Sequence, residues 1–521
     1  MEPRHSDIPR ASGVGRRRFL GGTGTLVGLA LTGAFLPPSS AAALAQERTT
    51  ARWRPLLHFT PERNWINDPN GLVFFRGEYH LFFQHNPEGL DHANMSWGHA
   101  VSNDLTRWEE LPVALEPDEL GEIFSGGAVV DHDDTSGFFG GGAGLVAFYT
   151  SAGEEQHQSV AYSADRGRSW TKYEGNPVIP NPGIPDFRDP KVIRHDPSGA
   201  WVLMLAAGDR IMFYRSSNLR DWEHVSDFGS EHGAHGGVWE CPELFELPVD
   251  SDPDTTRWVL VVSINPGGPA GGSAVQYFTG DFDGTAFTSD GPPQRVLWAD
   301  EGSDFYAAQS WSDVPDRDGR RLWVAWMSNW NYAGDVPTTP WRGAMTLPRQ
   351  LGLTGTGAGY RLTQRPVDEL ERRRTVRRRW HGTVEEGRNE RITRGTALDI
   401  DVVFRLQSAL SFGVEVLAGA NCRTRVGYRP DREEMFLDRT AHGRAEVEPA
   451  FPAVHTMSLR PEGDVVRMRI VVDRSCVEAF GGSGEAVLSD LVFPDEDGEQ
   501  VRLFAEEGEV RVESLCVHEL D

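Results

Sequence analysis

The chain has 521 residues, 39% of them hydrophobic and 25% charged, with a formal net charge of −26. That length and balance exclude a disordered or fibrous chain and leave room for more than one domain. The acidity disfavours nucleic acid and anionic membrane as partners, which need basic patches, and points to a neutral substrate.

In chain order, residues 1–45 come first. Arg16-Arg17-Arg18-Phe19-Leu20 precedes an apolar run from Leu26 to Leu36 and then Ala43-Leu44-Ala45, a small-residue cleavage pattern. The segment reads as a twin-arginine export signal. The alternative, a membrane anchor, needs ~20 apolar residues, and this run is short and broken by glycines. A secreted protein without a stable membrane anchor is expected. Loss of five arginines and two acids would take the charge from −26 to −29. Four cysteines, Cys241, Cys422, Cys476 and Cys516, are few for an exported chain. A chain folded before export need not depend on disulfides, though a Cys476 to Cys516 pair is open. Cys241 reads as a small buried filler.

Residues 52–350 show short runs rich in Val, Phe, Tyr and Trp between Gly, Asp, Asn and Pro, which predicts an all-β catalytic region. A loose echo runs through it: Ser102-Asn103-Asp104-Leu105 with Trp108, Ser163-Ala164-Asp165 with Trp170, Ser216-Ser217-Asn218-Leu219 with Trp222, and Gly280-Asp281-Phe282 with Phe287. Repetition of a strand-turn-strand unit suits a propeller, and irregular spacing leaves hairpins of a sandwich as the alternative. Residues 351–375 read as a charged linker. The basic run Arg372, Arg373, Arg374, Arg377, Arg378 and Arg379 reads as a solvated or salt-linked surface. From 376 to 521, alternating segments such as Val466 to Val472 suit a C-terminal β-sandwich.

Three acidic stretches carry the chemistry: Trp65-Ile66-Asn67-Asp68-Pro69-Asn70-Gly71, Phe187-Arg188-Asp189-Pro190 and Trp239-Glu240-Cys241-Pro242. An aspartate before proline cannot continue a helix, which predicts Asp68 and Asp189 where a strand leaves its sheet, facing a cavity. Cleaving an acetal takes a proton for the leaving oxygen and a negative group facing the oxocarbenium ion. Asp68 suits the nucleophile or base. Glu240, between Trp239 and Pro242, suits a partly desolvated acid, and Asp189 beside Arg188 a charged group binding sugar hydroxyls. Each carboxylate alone reads equally well as a turn cap or ion-pair member; the combination points to a sugar.

Those stretches, with Phe82-Phe83-Gln84, Ser96-Trp97-Gly98-His99, Phe124-Ser125-Gly126, Asp304-Phe305-Tyr306, Met327-Ser328-Asn329-Trp330 and Asp473-Arg474-Ser475-Cys476-Val477-Glu478, resemble glycoside hydrolase family 32, the levanases, exo-inulinases and invertases. The resemblance covers nearly all of the chain after residue 45. It implies a five-bladed β-propeller followed by a β-sandwich, with Asp68 as nucleophile, Glu240 as acid/base and Asp189 as transition-state stabiliser. It also implies a retaining mechanism, whose carboxyl separation is ~5 to 5.5 Å. Asn67, Gln84, Arg188 and Asp304 match positions expected on the fructosyl hydroxyls, Trp97, Phe124 and Trp330 its apolar faces, and Ser125 a hydroxyl or its own turn. No metal or cofactor is implied.

One departure concerns His92. Relatives that release single fructoses commonly carry Trp-Gly upstream of Ser-Trp-Gly-His, where this chain reads Asp91-His92-Ala93-Asn94-Met95-Ser96. A smaller wall would admit a second fructose or a sugar acceptor, and His92 reads equally well as an ordinary loop residue. The expectation is a monomeric β-fructan hydrolase, levan before inulin, with sucrose as a side substrate. The alternatives are a levanbiose-releasing enzyme, a levan fructotransferase and a β-fructan-binding protein.

Overall fold

The computed structural model describes residues 51–315 and 317–521, and the expected export signal at 1–45 lies outside them. β-Branched and aromatic runs cut by Gly, Asp and Asn turns give short strands throughout. Among the described residues the only helical pieces are three 3-10 turns. No helix among them is long and apolar enough to cross a membrane.

Five antiparallel blades follow one another. Their first strands are Asn64–Phe75, Glu122–Asp131, Phe187–His195, Val238–Val249 and Tyr306–Ser310. Each of these packs against the next, and the fifth packs against the first, so they form the inner ring of a propeller. Trp341–Arg342 returns from the fifth blade to pair in parallel with Asn64 and Trp65 and closes the ring.

The sequence echo is the turn between third and fourth strands of a blade. Ser102 Oγ accepts from Leu105 N at 2.8 Å and Ser216 Oγ from Leu219 N at 2.9 Å, while Ser163 Oγ accepts from Gly167 N at 2.8 Å. The aromatic that follows each turn fills the wedge toward the preceding blade. Trp170 joins the apolar cluster between blades one and two, Trp222 that between two and three, and Phe287 that between three and four. Trp108 joins the cluster between blades five and one. Burying such rings is the chief apolar gain of the ring, since each aromatic removes a large area from water.

Residues 351–375 are no linker. Arg349–Thr356 and Gly359–Pro366 pair antiparallel as the outer hairpin of blade five, and only Asp368–Arg373 connects, as a 3-10 turn. A polar, charged hairpin on the outer edge of a sheet composes like a connector. Beyond it two six-stranded sheets stack as a β-sandwich around a core that includes Ile400, Phe412, Val472 and Leu488. The basic run ends that 3-10 turn with Arg372 and Arg373 and opens the first strand of the sandwich, with Arg374 on Asp399 at 2.7 Å and Arg377 on Glu519 at 2.5 Å. All four cysteines are free thiols.

Propeller and sandwich meet through buried charge. His58 lies between Asp473 (Nδ1 to Oδ2, 3.0 Å) and Glu478 (Nε2 to Oε1, 2.9 Å), and Asp473 also accepts from the backbone of Leu56, Leu57 and His58. Arg349 spans Glu478 at 2.7 Å and Asp300 at 3.2 Å. The acids of the Asp473 to Glu478 stretch therefore serve the seam between the two domains.

Candidate active site

Every inner strand breaks its ladder at one height. The irregularities lie between Ile66 and Pro69, between Phe124 and Gly126, at Asp189-Pro190 opposite Met204 and Ala206, between Glu240 and Glu243, and between Tyr306 and Gln309. Pro69, Pro190 and Pro242 sit in three of these bulges, where a residue without an N–H costs the ladder nothing. A bulge re-aims the side chains beside it, and here the five bulges turn theirs toward the end of the propeller axis. Asp68 and Asp189 thus lie inside strands rather than where a strand leaves the sheet. Asp189 and Cys241 have φ of 66° and 47°, in the left-handed region that non-glycine residues adopt only when packing holds them there.

The three carboxylates converge around Cys241. Asp68 Oδ2 accepts from Ser125 Oγ at 2.7 Å and faces Cys241 Sγ at 3.5 Å, and Asp68 Oδ1 is buried with no hydrogen-bond partner among the described residues. Asp189 Oδ2 accepts from Cys241 N at 2.9 Å, with the same sulfur 3.6 Å away. Burial raises the Cys241 thiol well above its ordinary value, and the charges of Asp189, Asp68 and Glu240 raise it further, so the sulfur keeps its proton and donates. Cys241 is buried, as expected, but it is a ligand of two carboxylates rather than mere filler.

Glu240 Oε1 accepts from Arg188 Nη2 at 2.8 Å and Nε at 3.1 Å, and Oε2 accepts from the Tyr306 hydroxyl. Arg188 also reaches Asp186 at 2.6 Å but stays 4.0 Å from Asp189. Arg188, expected on the fructosyl hydroxyls, has Glu240 and Asp186 as its main carboxylate partners. Burial raises the Asp189 carboxyl, Arg188 opposes this, and Glu240 and Asp68 add to the rise.

Around the trio, Asn67 Oδ1 accepts from Trp65 Nε1 at 2.8 Å and Gln84 Nε2 donates to Ile123 O at 3.0 Å. His92, Phe124 and Trp330 form an aromatic rim with Trp65: the His92 ring lies 5.2 Å from Trp330, 6.0 Å from Trp65 and 6.2 Å from Phe124. Desolvation lowers the His92 imidazole pKa against the pull of Asp68, Glu122 and Glu240, although the residue stays exposed at the rim. Trp97 is fully buried, its indole N–H on Phe124 O at 3.0 Å, so it backs the rim instead of facing the pocket.

Asp304 is the other correction. Its Oδ1 accepts from the Tyr332 hydroxyl at 2.7 Å, and its Oδ2 from Arg439 at 2.6 Å and Leu491 N at 2.8 Å. With both oxygens taken inside the domain seam, none is left for a sugar hydroxyl. Tyr306, two residues on and the first residue of the fifth inner strand, reaches the site instead, through its hydroxyl on Glu240. Trp65, buried like Trp97, backs the rim from behind His92 and Trp330. Away from the pocket, Cys422, Asp495 and Asp497 hold ligand-type atoms within 4.8 Å of one another, but Asp497 already accepts from Ala420 N at 2.7 Å, and the cluster carries no argument for an ion.

The model of the glycosyl hydrolases family 32 N-terminal domain matches residues 58–366, and that of the glycosyl hydrolases family 32 C terminal matches residues 366–519. The chain is 52% identical over 476 residues to a levanase of Bacillus subtilis (strain 168), covering 90% of this chain and 70% of that one. It is 41% identical over 495 residues to a levanase of Bacillus sp. (strain L7), covering 90% of this chain and 52% of the other, about half its length. The crystal structure of exo-inulinase from Aspergillus awamori is similar with a TM-score of 0.85 at 40% identity, covering 90% of this chain and 98% of that one. With both halves matched and the carboxylate trio set in the bulges of a five-bladed ring, the chain belongs to glycoside hydrolase family 32.

Proposed function

We propose that this protein hydrolyses β-fructofuranosyl linkages, β-2,6 in levan first and β-2,1 in inulin second, with sucrose as a side substrate. The observation that carries the reading is the division of labour at Asp68: one oxygen is held by Ser125 and Cys241, and the other is free to attack. Asp68 adds to the anomeric carbon C2 of a terminal fructosyl unit while Glu240 protonates the departing oxygen. Glu240 then takes a proton from water, which releases fructose and frees Asp68. Arg188 and Tyr306 hold the Glu240 carboxyl in place for both steps. Asp189, fixed by Cys241 N, faces the sugar hydroxyls and the charge developing on the ring.

His92 bears on product size. Its ring touches three aromatics of the rim, which supports a closed wall and release of one fructose at a time. Export through the twin-arginine route, signalled by Arg16-Arg17-Arg18, fits a substrate too large to enter a cell.

The test is a time course of products from levan, inulin and sucrose, separated so that fructose, levanbiose and difructose anhydride are distinct. Fructose from the outset, fastest on levan, is expected. An early disaccharide or anhydride would overturn the hydrolytic, single-fructose reading in favour of levanbiose release or fructosyl transfer. Binding without turnover on all three would leave a β-fructan-binding protein.

A further inference from the structure

Side chains along an inner strand alternate, so those on one face descend the propeller axis in steps of two. In the third blade Asp189 stands in the catalytic pocket; past the bulge at Asp189-Pro190, Lys191 comes next down the strand, with Ile193 and His195 following it in steps of two. The Lys191 level is closed. Lys191 Nζ meets Glu243 Oε2 at 2.7 Å and Ser310 O at 2.8 Å, and Ser310 N donates to the same carboxylate oxygen at 2.7 Å. A Cβ on Gly127 would stand 3.2 Å from Lys191 Cδ, so the second inner strand lies against the lysine stem. One buried ion pair therefore ties strands three, four and five together and partitions the channel.

Below that partition, at the mouth opposite the carboxylates, the ends of inner strands two, three and four enclose a cavity of ≈ 680 Å³. Sites for small ligands fall in this size range. Arg321 lines it, and its hydrogen bonds are long ones, 3.5 Å to Ser310 Oγ and 3.5 Å to Trp311 O, although burial strips water from the guanidinium. The charges around the cavity are of both signs: Arg194 and Arg321 line it together with Asp196, Glu246, Asp283 and Asp313. A polyanion would meet the carboxylates and a cation the guanidiniums. A neutral molecule rich in hydroxyls satisfies both, donating to one set and accepting from the other. Half-buried Trp258 supplies an apolar surface for a ring to lie on.

We propose that this cavity is a second carbohydrate site, which takes a neutral fructosyl oligosaccharide on the propeller face opposite the catalytic pocket. Its fructosyl specificity rests on the fructan reading of the catalytic site; its location and its preference for a neutral sugar rest on the cavity itself. A site there would hold a long substrate on the enzyme between cleavages.

The experiment titrates the Glu240→Gln full chain with a β-2,6-linked fructotetraose in a calorimeter, with turnover of levan and sucrose by the unsubstituted protein measured alongside. Two sites per chain are expected. Arg194→Ala with Asp283→Ala, both at the exposed rim, should weaken one site tenfold or more and leave the rate on sucrose unchanged, and Arg321→Met should remove that site. A single site per chain, or a second site indifferent to the rim substitutions, overturns the proposal. Loss of the fructan reading would show separately, as absence of turnover in the unsubstituted protein.

Discussion

The partners of Asp68 hold one carboxylate oxygen and leave the other without a hydrogen bond, the arrangement that the proposed nucleophile needs. Ser125→Ala removes an O–H donated to a charged group, a bond worth ~1.5–3 kcal/mol. kcat/KM on sucrose should therefore fall about tenfold to a hundredfold with little change in thermal stability. An unchanged kcat/KM would mean that Cys241 alone orients Asp68. Glu240→Gln keeps the contacts to Arg188 and Tyr306 within reach but has no proton to give. Its kcat on natural linkages should drop ~10²–10⁴-fold and recover with a leaving group that needs no protonation. Full activity on levan in that variant would reassign the acid.

At the scale of the element, the inner strand is the unit that makes the site. Each has an upper bulge that aims a side chain and a paired stretch beyond it that fixes the bulge in space. The Lys191–Glu243 pair joins three of these ladders just beneath the carboxylates. Lys191→Met would leave Glu243 buried without its ion-pair partner, a loss of ~3–5 kcal/mol by the measure of broken buried pairs. Urea unfolding should show it as a lower midpoint at unchanged slope. A midpoint within experimental error of the parent would mean that Glu243 takes up a proton or finds another partner.

Much of this was legible in the chain, because proline and aspartate carry local meaning. Pro69 and Pro190 marked interruptions, and the aspartate before each lies among the converging carboxylates. What they could not show was whether the interruption ends a strand or bulges it, since both tolerate a missing N–H. The stretch Asp304-Phe305-Tyr306 was ambiguous for a different reason. It offers two polar side chains two residues apart, and the partners that claim Asp304 lie 135 and 187 residues further on, at Arg439 and Leu491.

For the whole molecule, the sandwich contributes through the buried seam. His58 holds the two domains by bonding Asp473 and Glu478 at once. Burial by itself would lower its pKa, but the hydrogen bonds and charges of those two acids outweigh this and raise it to about 9. A group raised in the folded state adds stability that is fully present below its unfolded value of 6.5 and is lost as pH rises through about 9. Asp473 and Glu478 act in the opposite sense. Burial pushes both up, but His58 lowers both, with Arg349 also lowering Glu478, and their net depression adds stability that is lost as pH falls through their folded values. The seam should thus hold best from weakly acidic to neutral pH, and on the alkaline side the loss should reach about 3 kcal/mol, at 1.36 kcal/mol for each pKa unit. Unfolding by urea at a series of pH values from 6 to 10 measures it directly. The parent should weaken across that span, and His58→Gln, which hydrogen-bonds but does not titrate, should start weaker and stay flat there. If the two curves run parallel, His58 is neutral in the seam, and the acids on either side of it are held by Arg349 and the backbone instead.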